Sequence, residues 1–431
     1  MKYAIDALVD ADAGKVSRRI FADESIYKAE LEHIFARSWL FLCHDSQVAK
    51  AGDYFTNYMG EDPIIICRGR DGEVRAFLNS CQHRGMKVCR DNSGNAKNFT
   101  CIYHGWTYND CGELVSVPYE ERAYGTGLSH ERWGLIRVPR LANYGGLLFG
   151  CWDAATPSLD DYLGDLRFYL DLFLERALGG LEALPGVQRY NCQGNWKLPA
   201  DNFSGDDYHV PWTHGSYLKL GVVSPDYAEA EAYTVGFPYG HGIGDIHLKR
   251  QSLQADREFA KQFGPEVVDY VQASHARTTE RLGSPRSDIY TFGHGNIFPN
   301  FSLNDFSALW PVGLYLWHPR GPHSMEIWQW CLIDRDAPPL VKQVAAGLFS
   351  QVQSAAGAFG QDDSENFEQA TAATRGAVAQ DHFFNYEMGL SIDFNDPACA
   401  VLPGTVGPHF SEHCQRGFYA HWAKCMKENP S

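Results

Sequence analysis

Residues 24 to 37, ESIYKAELEHIFAR, space Ile26, Leu31, Ile34 and Phe35 at near-helical intervals and predict an amphipathic helix. From about Trp39 to Asp153 the texture changes to short β-branched and aromatic runs broken by Gly, Asp and Asn, as in DYFTNYMGEDPIIICRGRDGEVRAFLN, TYNDCGELVSVPYE and YGGLLFGCWD. Turn signals this close together predict an antiparallel β domain, with GRDGEV as a hairpin connection. After Pro157 the pattern turns helical, SLDDYLGDLRFYLDLFLERAL, with Ser158 placed as an N-cap ahead of acidic residues. Strand-like runs return at 187–193, 308–318 (ALWPVGLYLWH) and 324–333 (SMEIWQWCLI), and residues 339–371 predict one or two helices. The order lacks the strand–helix alternation of a doubly wound sheet and predicts an α+β class. The one Gly-rich run, YGHGIGD at 239–245, does not follow a strand and open a helix as a dinucleotide loop must, and is read as a turn.

At 431 residues the chain exceeds what one hydrophobic core usually fills, so two domains are expected. A hydrophobic content of 44% supports a substantial core, and 13% aromatics suggest a large apolar interior or pocket. The formal charge of −16 disfavours nucleic acid and anionic lipid as partners. No basic leader followed by an apolar run opens the chain, and no stretch reaches the length of a membrane span, which leads to the expectation of a cytoplasmic protein. In a reducing cytosol the twelve cysteines are mostly buried thiols, and the N-x-[ST] triplets at Asn98, Asn202 and Asn300 are accidents of sequence.

Chemistry concentrates in two places. In CQHRGMKVCRDNSGNAKNFTCIYHGW, Cys81-x-His83 is followed after seventeen residues by Cys101-x-x-His104. A structural zinc site usually keeps two Cys together and two His together. Here each half contributes one of each, which suits a Rieske-type [2Fe-2S] cluster with two thiolates on one iron and two imidazoles on the other. A Gly directly after or one residue beyond each His supplies the tight turn such loops need. Zinc remains the alternative.

The second place is NWKLPADNFSGDDYHVPWTHGS, residues 195–216, with His209 and His214 five apart. On a straight helix that offset is about 140° around the axis, so the two rings would not share a face. Pro211 between them breaks the helix ladder and lets both imidazoles swing to one point. Two His and a carboxylate distant in sequence would make the facial triad of non-haem Fe(II) oxygenases, which leaves positions open for dioxygen and substrate. Taken alone, the pair is better read as two unrelated structural histidines.

A chain with both features resembles the large, α subunit of the Rieske ring-hydroxylating oxygenases, the group that includes naphthalene and biphenyl dioxygenases. The resemblance runs from ADESIYKAELEHIFARSWLFLCHDSQ through both motifs to GQDDSENFE. Respiratory Rieske proteins carry a disulfide whose positions are Met86 and Tyr103 here, so the oxygenase and ferredoxin type is indicated, and Cys89 and Cys111 are expected to be ordinary buried thiols. The resemblance implies a Rieske domain at 39–156 inserted in a helix-grip catalytic domain formed by 1–38 and 157–431.

It further implies cluster ligands Cys81, His83, Cys101 and His104, and iron ligands His209, His214 and Asp363, with Asp362 as the rival carboxylate. Asp206 would bridge His209 to His104 of a neighbouring subunit; its i, i+3 offset from His209 suits a carboxylate that fixes the imidazole. Asn202 would lie beside the iron, and Asp201 stands where many relatives have Glu. Phe203, Val210, His294, Asn296 and Phe359 would line the substrate pocket.

The implied activity is conversion of an arene to a cis-dihydrodiol with O2, in aromatic hydrocarbon catabolism. Electrons would come from NADH through a separate ferredoxin and/or reductase, because the chain has no flavin or nicotinamide motif. A trimer is implied, either a homotrimer or α3β3 with a small β subunit. Two alternatives stay open: a Rieske monooxygenase or a dioxygenase of amino- or carboxy-substituted rings, and an electron-transfer or zinc-stabilised binding protein.

Overall fold

The computed structural model describes residues 4–177, 179–219, 227–248, 252–289, 292–306 and 309–428. The chain divides into two compact units, one formed by Met1–Ile34 with Asp160–Ser431 and the other by Phe35–Leu159. These boundaries fall four residues before and three residues after those expected at 38 and 156. The architecture is α+β throughout.

The Phe35–Leu159 unit consists of three small antiparallel sheets. One has four strands in the order Val74–Leu78, Asp62–Arg68, Asp53–Met59, Ser93–Asn95. A second joins Leu114–Ser116, Thr107–Asn109 and Asn98–Thr100, and a third joins Arg140–Tyr144, Leu147–Cys151 and Leu40–His44. The GRDGEV hairpin forms as expected, with Gly69 N donating to Glu73 O at 2.8 Å. Tyr54, Phe77, Phe99, Trp106 and Tyr108 pack a core that encloses the Cys81 and Cys101 thiols.

The larger unit is built on a nine-stranded antiparallel sheet. Its order is Leu181–Ala183, Met325–Asp334, Val312–Pro319, Phe301–Asp305, Phe292–Ile297, Gly242–Ile246, Tyr233–Gly236, Thr405–Pro408, and Gln188–Cys192 also pairs with Met325–Asp334. The runs read as strands at 187–193 and 324–333 lie in this sheet, as does the third from Val312 onward; residue 308 of that third run lies outside the described residues. The helical run 339–371 is two helices, Pro339–Val352 and Ala358–Thr374. The helix of 24–37 forms over Glu24–Glu30, capped by the Asp23 carboxylate on Ser25 N and Ile26 N, and continues as a π turn over Leu31–Phe35.

The N-terminal segment belongs to this unit through two connections. Lys15–Ser17 pairs with Phe383–Asn385. Glu30, fully buried, accepts from Lys197 Nζ at 2.6 Å, Trp196 Nε1 at 2.9 Å and Trp422 Nε1 at 2.8 Å. One carboxylate thereby ties the N-terminal helix to the helices Lys197–Phe203 and His413–Lys427. Burial pushes Lys197 down from its ordinary value against the opposing pull of Glu30, so the pair is held together by mutual need rather than by solvation.

The run read as a turn at 239–245 is different. Only Pro238–Gly240 is a 3-10 turn; Gly242–Ile246 is a fully buried strand inside the sheet. Its glycines are there for close approach: a Cβ on Gly242 would sit 2.3 Å from Ser204 O, and one on Gly244 2.8 Å from Asp207 Oδ1. The bare strand lets residues 204–207 lie directly on the sheet, which fixes the segment that leads into His209.

Candidate functional site

The segment after the helix Lys197–Phe203 is a 3-10 turn, Asp207–His209, followed by a single helical turn, Val210–Thr213, with Pro211 at its start and His214 as its C-cap. The break expected at Pro211 is not there: the change from 3-10 to α turn falls between His209 and Val210, and Pro211 sits in the first turn of the helix, where it needs no donor. His209 and His214, with ring centroids 5.3 Å apart, aim their Nε2 atoms at Asp363 Oδ1, at 3.6 Å and 3.3 Å. These three residues are the one group of His, Cys, Asp or Glu among the described residues whose ligand atoms all lie within 4.8 Å of one another.

The opposite edge of each ring is held. His209 Nδ1 hydrogen-bonds the backbone carbonyl of Asp206, and His214 Nδ1 lies 3.4 Å from Asp362 Oδ2. With Nδ1–H committed on both rings, both Nε2 lone pairs face the same point, which is how ligating histidines are oriented. Asp363 Oδ1 is buried and accepts no hydrogen bond among the described residues. Burial alone would push His214 down, but Asp363 and Asp362 together hold it above its ordinary value. Two imidazoles and one carboxylate with open space beyond them fit a divalent iron. The geometry also separates the two carboxylates: Asp363 faces both Nε2 atoms, whereas Asp362 faces the back of His214.

Asn202 Nδ2 donates to Asp206 Oδ2 at 3.3 Å, and that oxygen lies 3.7 Å from His209 Nδ1. Asn202 therefore steadies Asp206 beside the His209 ring. Asp201 is buried under the hydroxyls of Tyr386 (2.7 Å) and Tyr419, and burial pushes its carboxyl up to about 8.

The triad opens on a cavity of about 730 Å³. Phe203, Val210 and Phe359 line it, Phe359 stacking on His214 at 4.3 Å. Tyr315 and Trp317, parallel at 5.5 Å, form a second aromatic wall against Phe203. His294 also lines the cavity, but both its nitrogens are taken: Nδ1 by Phe203 O at 3.1 Å and Nε2 by buried Asp207 at 2.8 Å. Burial pushes His294 down, and the Asp207 carboxylate outweighs it to hold the imidazole up at about 9. Asn296 is not among the lining residues. It accepts from Ser302 Oγ at 2.8 Å and donates to Pro299 O at 3.5 Å, which turns its amide into the sheet. The aromatic pair Tyr315 and Trp317 went unnamed in the sequence, although their i, i+2 spacing in GLYLW is the signal of one strand face.

In the smaller unit the two ligand loops are built alike. Cys81 N donates to Met86 O and Gly85 N to Cys81 O; Cys101 N donates to Trp106 O and Gly105 N to Cys101 O, all at 2.8–2.9 Å. Gly85 and Gly105 have φ of +73° and +74°, which requires glycine at each turn. The thiols are buried, 3% and 1% exposed, and close enough to perturb each other, while His83 and His104 are part-exposed with centroids 4.4 Å apart. His83 stacks on Trp106, and its Nδ1 is buried without a hydrogen-bond partner among the described residues. Tyr108 OH lies 3.3 Å from Cys81 Sγ. No three of the four ligand atoms converge within 4.8 Å of one another, as they would on one tetrahedral ion. Two thiols inside and two imidazoles at the rim fit a two-iron cluster.

Comparison with known proteins agrees. Residues 38–141 match the Rieske [2Fe-2S] domain, and residues 159–428 match the ring hydroxylating alpha subunit (catalytic domain). The chain is 42% identical to the biphenyl 2,3-dioxygenase subunit alpha of Rhodococcus jostii (strain RHA1), covering 98% of this chain and 91% of that one. It is 40% identical to the benzene 1,2-dioxygenase subunit alpha of Pseudomonas putida, covering 98% and 93%. The crystal structure of naphthalene 1,2-dioxygenase from Rhodococcus sp. bound to indole superposes with a TM-score of 0.85 at 37% identity, covering 96% of this chain and 95% of that one. Paired Cys/His loops, a two-histidine, one-carboxylate cluster and this likeness along nearly the whole length lead to one conclusion: the chain belongs to the family of ring-hydroxylating dioxygenase alpha subunits.

Proposed function

We propose that the chain is the catalytic subunit of a dioxygenase that converts an aromatic ring of one or a few fused or linked rings into a cis-dihydrodiol. The observation that carries this reading is the opening of the His209, His214 and Asp363 cluster directly onto an aromatic-walled cavity of about 730 Å³, room enough for such a ring. The family's cofactors supply the redox chemistry: the Rieske cluster passes electrons singly, and mononuclear iron activates dioxygen. In the balanced reaction both oxygen atoms enter adjacent ring carbons, two electrons come from NADH through ferredoxin and reductase partners, and two protons come from solvent.

His209 and His214 would hold the mononuclear iron through Nε2 and Asp363 through its carboxylate, while Cys81 and Cys101 would hold one cluster iron and His83 and His104 the other. The chain's own residues do the rest. Phe203, Trp317 and Phe359 stack the ring and exclude water. Asp206, steadied by Asn202, fixes His209 and would link it to His104 of a neighbouring chain in a trimer, with or without a small β subunit. His294, locked between Asp207 and the Phe203 carbonyl, keeps the wall rigid. Among the described residues no helix is long and apolar enough to cross a membrane; we place the enzyme in the cytoplasm, where NADH is available.

The test is turnover of the iron-loaded protein with NADH, reductase and ferredoxin on naphthalene and biphenyl. An oxygen-dependent cis-dihydrodiol is expected. Oxygen and NADH consumed in full with no oxygenated ring would overturn the reading.

A further inference from the structure

Residues 118–134 run beside the cluster loops and are weakly held. None of them is buried, although Val117 before them and Leu135 after them are. They form two short helical turns, Glu120–Tyr124 and His130–Trp133, and Leu128 between the turns packs, half-buried, against the core of the smaller unit. The segment starts on the second ligand loop, where a Cβ on Gly105 would meet Pro118 Cγ at 2.6 Å. Tyr124 meets Trp106 edge to face with centroids 6.3 Å apart, and Trp106 in turn stacks on His83 at 5.1 Å. The segment therefore covers the Trp106 side of a cluster ligand.

One side chain fastens it. His130 Nδ1 donates to the Leu114 carbonyl, on the strand Leu114–Ser116, at 2.9 Å, and His130 Nε2 lies 2.9 Å from both carboxylate oxygens of Glu120. Among the described residues these are the only side-chain hydrogen bonds that residues 118–134 make. Each ring nitrogen faces an acceptor, and only the imidazolium carries an N–H on both. A neutral ring has to give up one of the two bonds, either the tie to the sheet or the tie between the helical turns. Glu120 holds His130 above its ordinary value against the opposing effect of burial, so the fastened form persists to higher pH than a free histidine would allow. Glu120 is the charged group that faces the ring. Glu121, Arg122, Glu131 and Arg132 on the same two turns are exposed, the strand Leu114–Ser116 carries no charge, and Glu113 beside it accepts from Asn109 Nδ2 at 2.8 Å.

We propose that His130 is a proton-operated latch: protonated, it fastens residues 118–134 over the Trp106 side of the cluster ligand His83, and deprotonated, it lets this cover lift and opens that side to solvent and small reductants. The fastening is complete below the ordinary histidine range and is lost as the pH rises through the raised value of His130. This goes beyond ring hydroxylation and needs only the cluster, not any particular substrate.

The experiment uses the holoenzyme between about pH 6 and about pH 9, on either side of the expected step, with two readouts: deuterium-exchange protection of residues 118–134 and the stopped-flow rate at which dithionite reduces the cluster. In wild type, protection should fall about fivefold through one step, the most that a part-exposed ion pair usually contributes, and the reduction rate should rise over the same step. Glu120→Gln keeps an acceptor at Nε2 without its charge, so the step should move to lower pH. His130→Gln should be open at every pH and show no step. The cluster's own histidines titrate alike in all three proteins, so a pH effect arising from them does not move with Glu120→Gln. A step that stays in place in Glu120→Gln or survives in His130→Gln would overturn the proposal, as would loss of protection with no change in the reduction rate. Should His130→Gln fail to hold its cluster, the comparison of wild type with Glu120→Gln decides alone.

Discussion

Replacing Asp363 by alanine removes the one carboxylate oxygen that faces both Nε2 atoms, at 3.6 Å from His209 and 3.3 Å from His214. Two neutral imidazoles remain, with no anionic ligand to complete the triad. Iron content should then fall from about three atoms per chain to about two, the cluster's own, with the Rieske spectrum unchanged. Asp362→Ala makes the informative contrast. Its oxygen touches only the Nδ1 side of His214, at 3.4 Å, so its loss frees the ring to turn without removing a ligand. Removing such an outer partner typically weakens metal binding 10- to 100-fold, about 1.4 to 2.7 kcal/mol. The assay is iron per chain by elemental analysis, a ferrous titration of each variant, and the visible and EPR spectra of the reduced cluster. Asp362→Ala should refill at higher ferrous concentration, whereas Asp363→Ala should not. If Asp362→Ala loses the third iron irreversibly and Asp363→Ala keeps it, the ligand assignment and the geometry behind it are wrong.

Three further outcomes are expected. Asp206→Asn should retain about three irons per chain yet slow single-turnover electron transfer at least tenfold, because the backbone carbonyl that holds His209 Nδ1 stays while the carboxylate charge beside the ring is lost; wild-type transfer in stopped flow counts against the bridge. Glu30→Gln leaves Lys197 buried without its counter-charge and should cost about 3–5 kcal/mol in urea unfolding of the larger unit, where a loss below about 1 kcal/mol would show that the pair is not what ties the three helices. Gly242→Ala pushes a methyl to 2.3 Å from Ser204 O and should cost about 1–3 kcal/mol while weakening ferrous binding, with the cluster spectrum untouched; unaltered iron affinity would mean the strand does not set the position of residues 204–209.

The residues of the two candidate metal sites stand out in the chain because their pattern is local: Cys-x-His with Cys-x-x-His, and two His five apart, are visible in their spacing. Asp363 could not be separated from Asp362 in that way, since one step along a helix turns a side chain by about 100° and only packing decides which carboxylate faces the imidazoles. The pocket was harder still. His294 and Asn296 share one strand face by alternation, yet Ser302 and Pro299 draw the Asn296 amide into the sheet, an effect no pattern within the strand announces. Gly242–Ile246 lacks the β-branched and aromatic signal of a strand because its glycines serve the segment packed on it. Likewise the pairing of Lys15–Ser17 with Phe383–Asn385, which closes the larger unit, rests on contacts more than 360 residues apart.

The central claim is that the His209, His214 and Asp363 cluster carries out dioxygenation of an aromatic ring in the cavity beside it. Turnover of the iron-loaded enzyme under 18O2, with mass analysis of the product, tests this most directly. The account predicts a cis-dihydrodiol four mass units heavier than that made in ordinary oxygen, both hydroxyl oxygens coming from one dioxygen molecule. A product carrying a single labelled oxygen, with the other atom released as water, would contradict it and make the chain a monooxygenase.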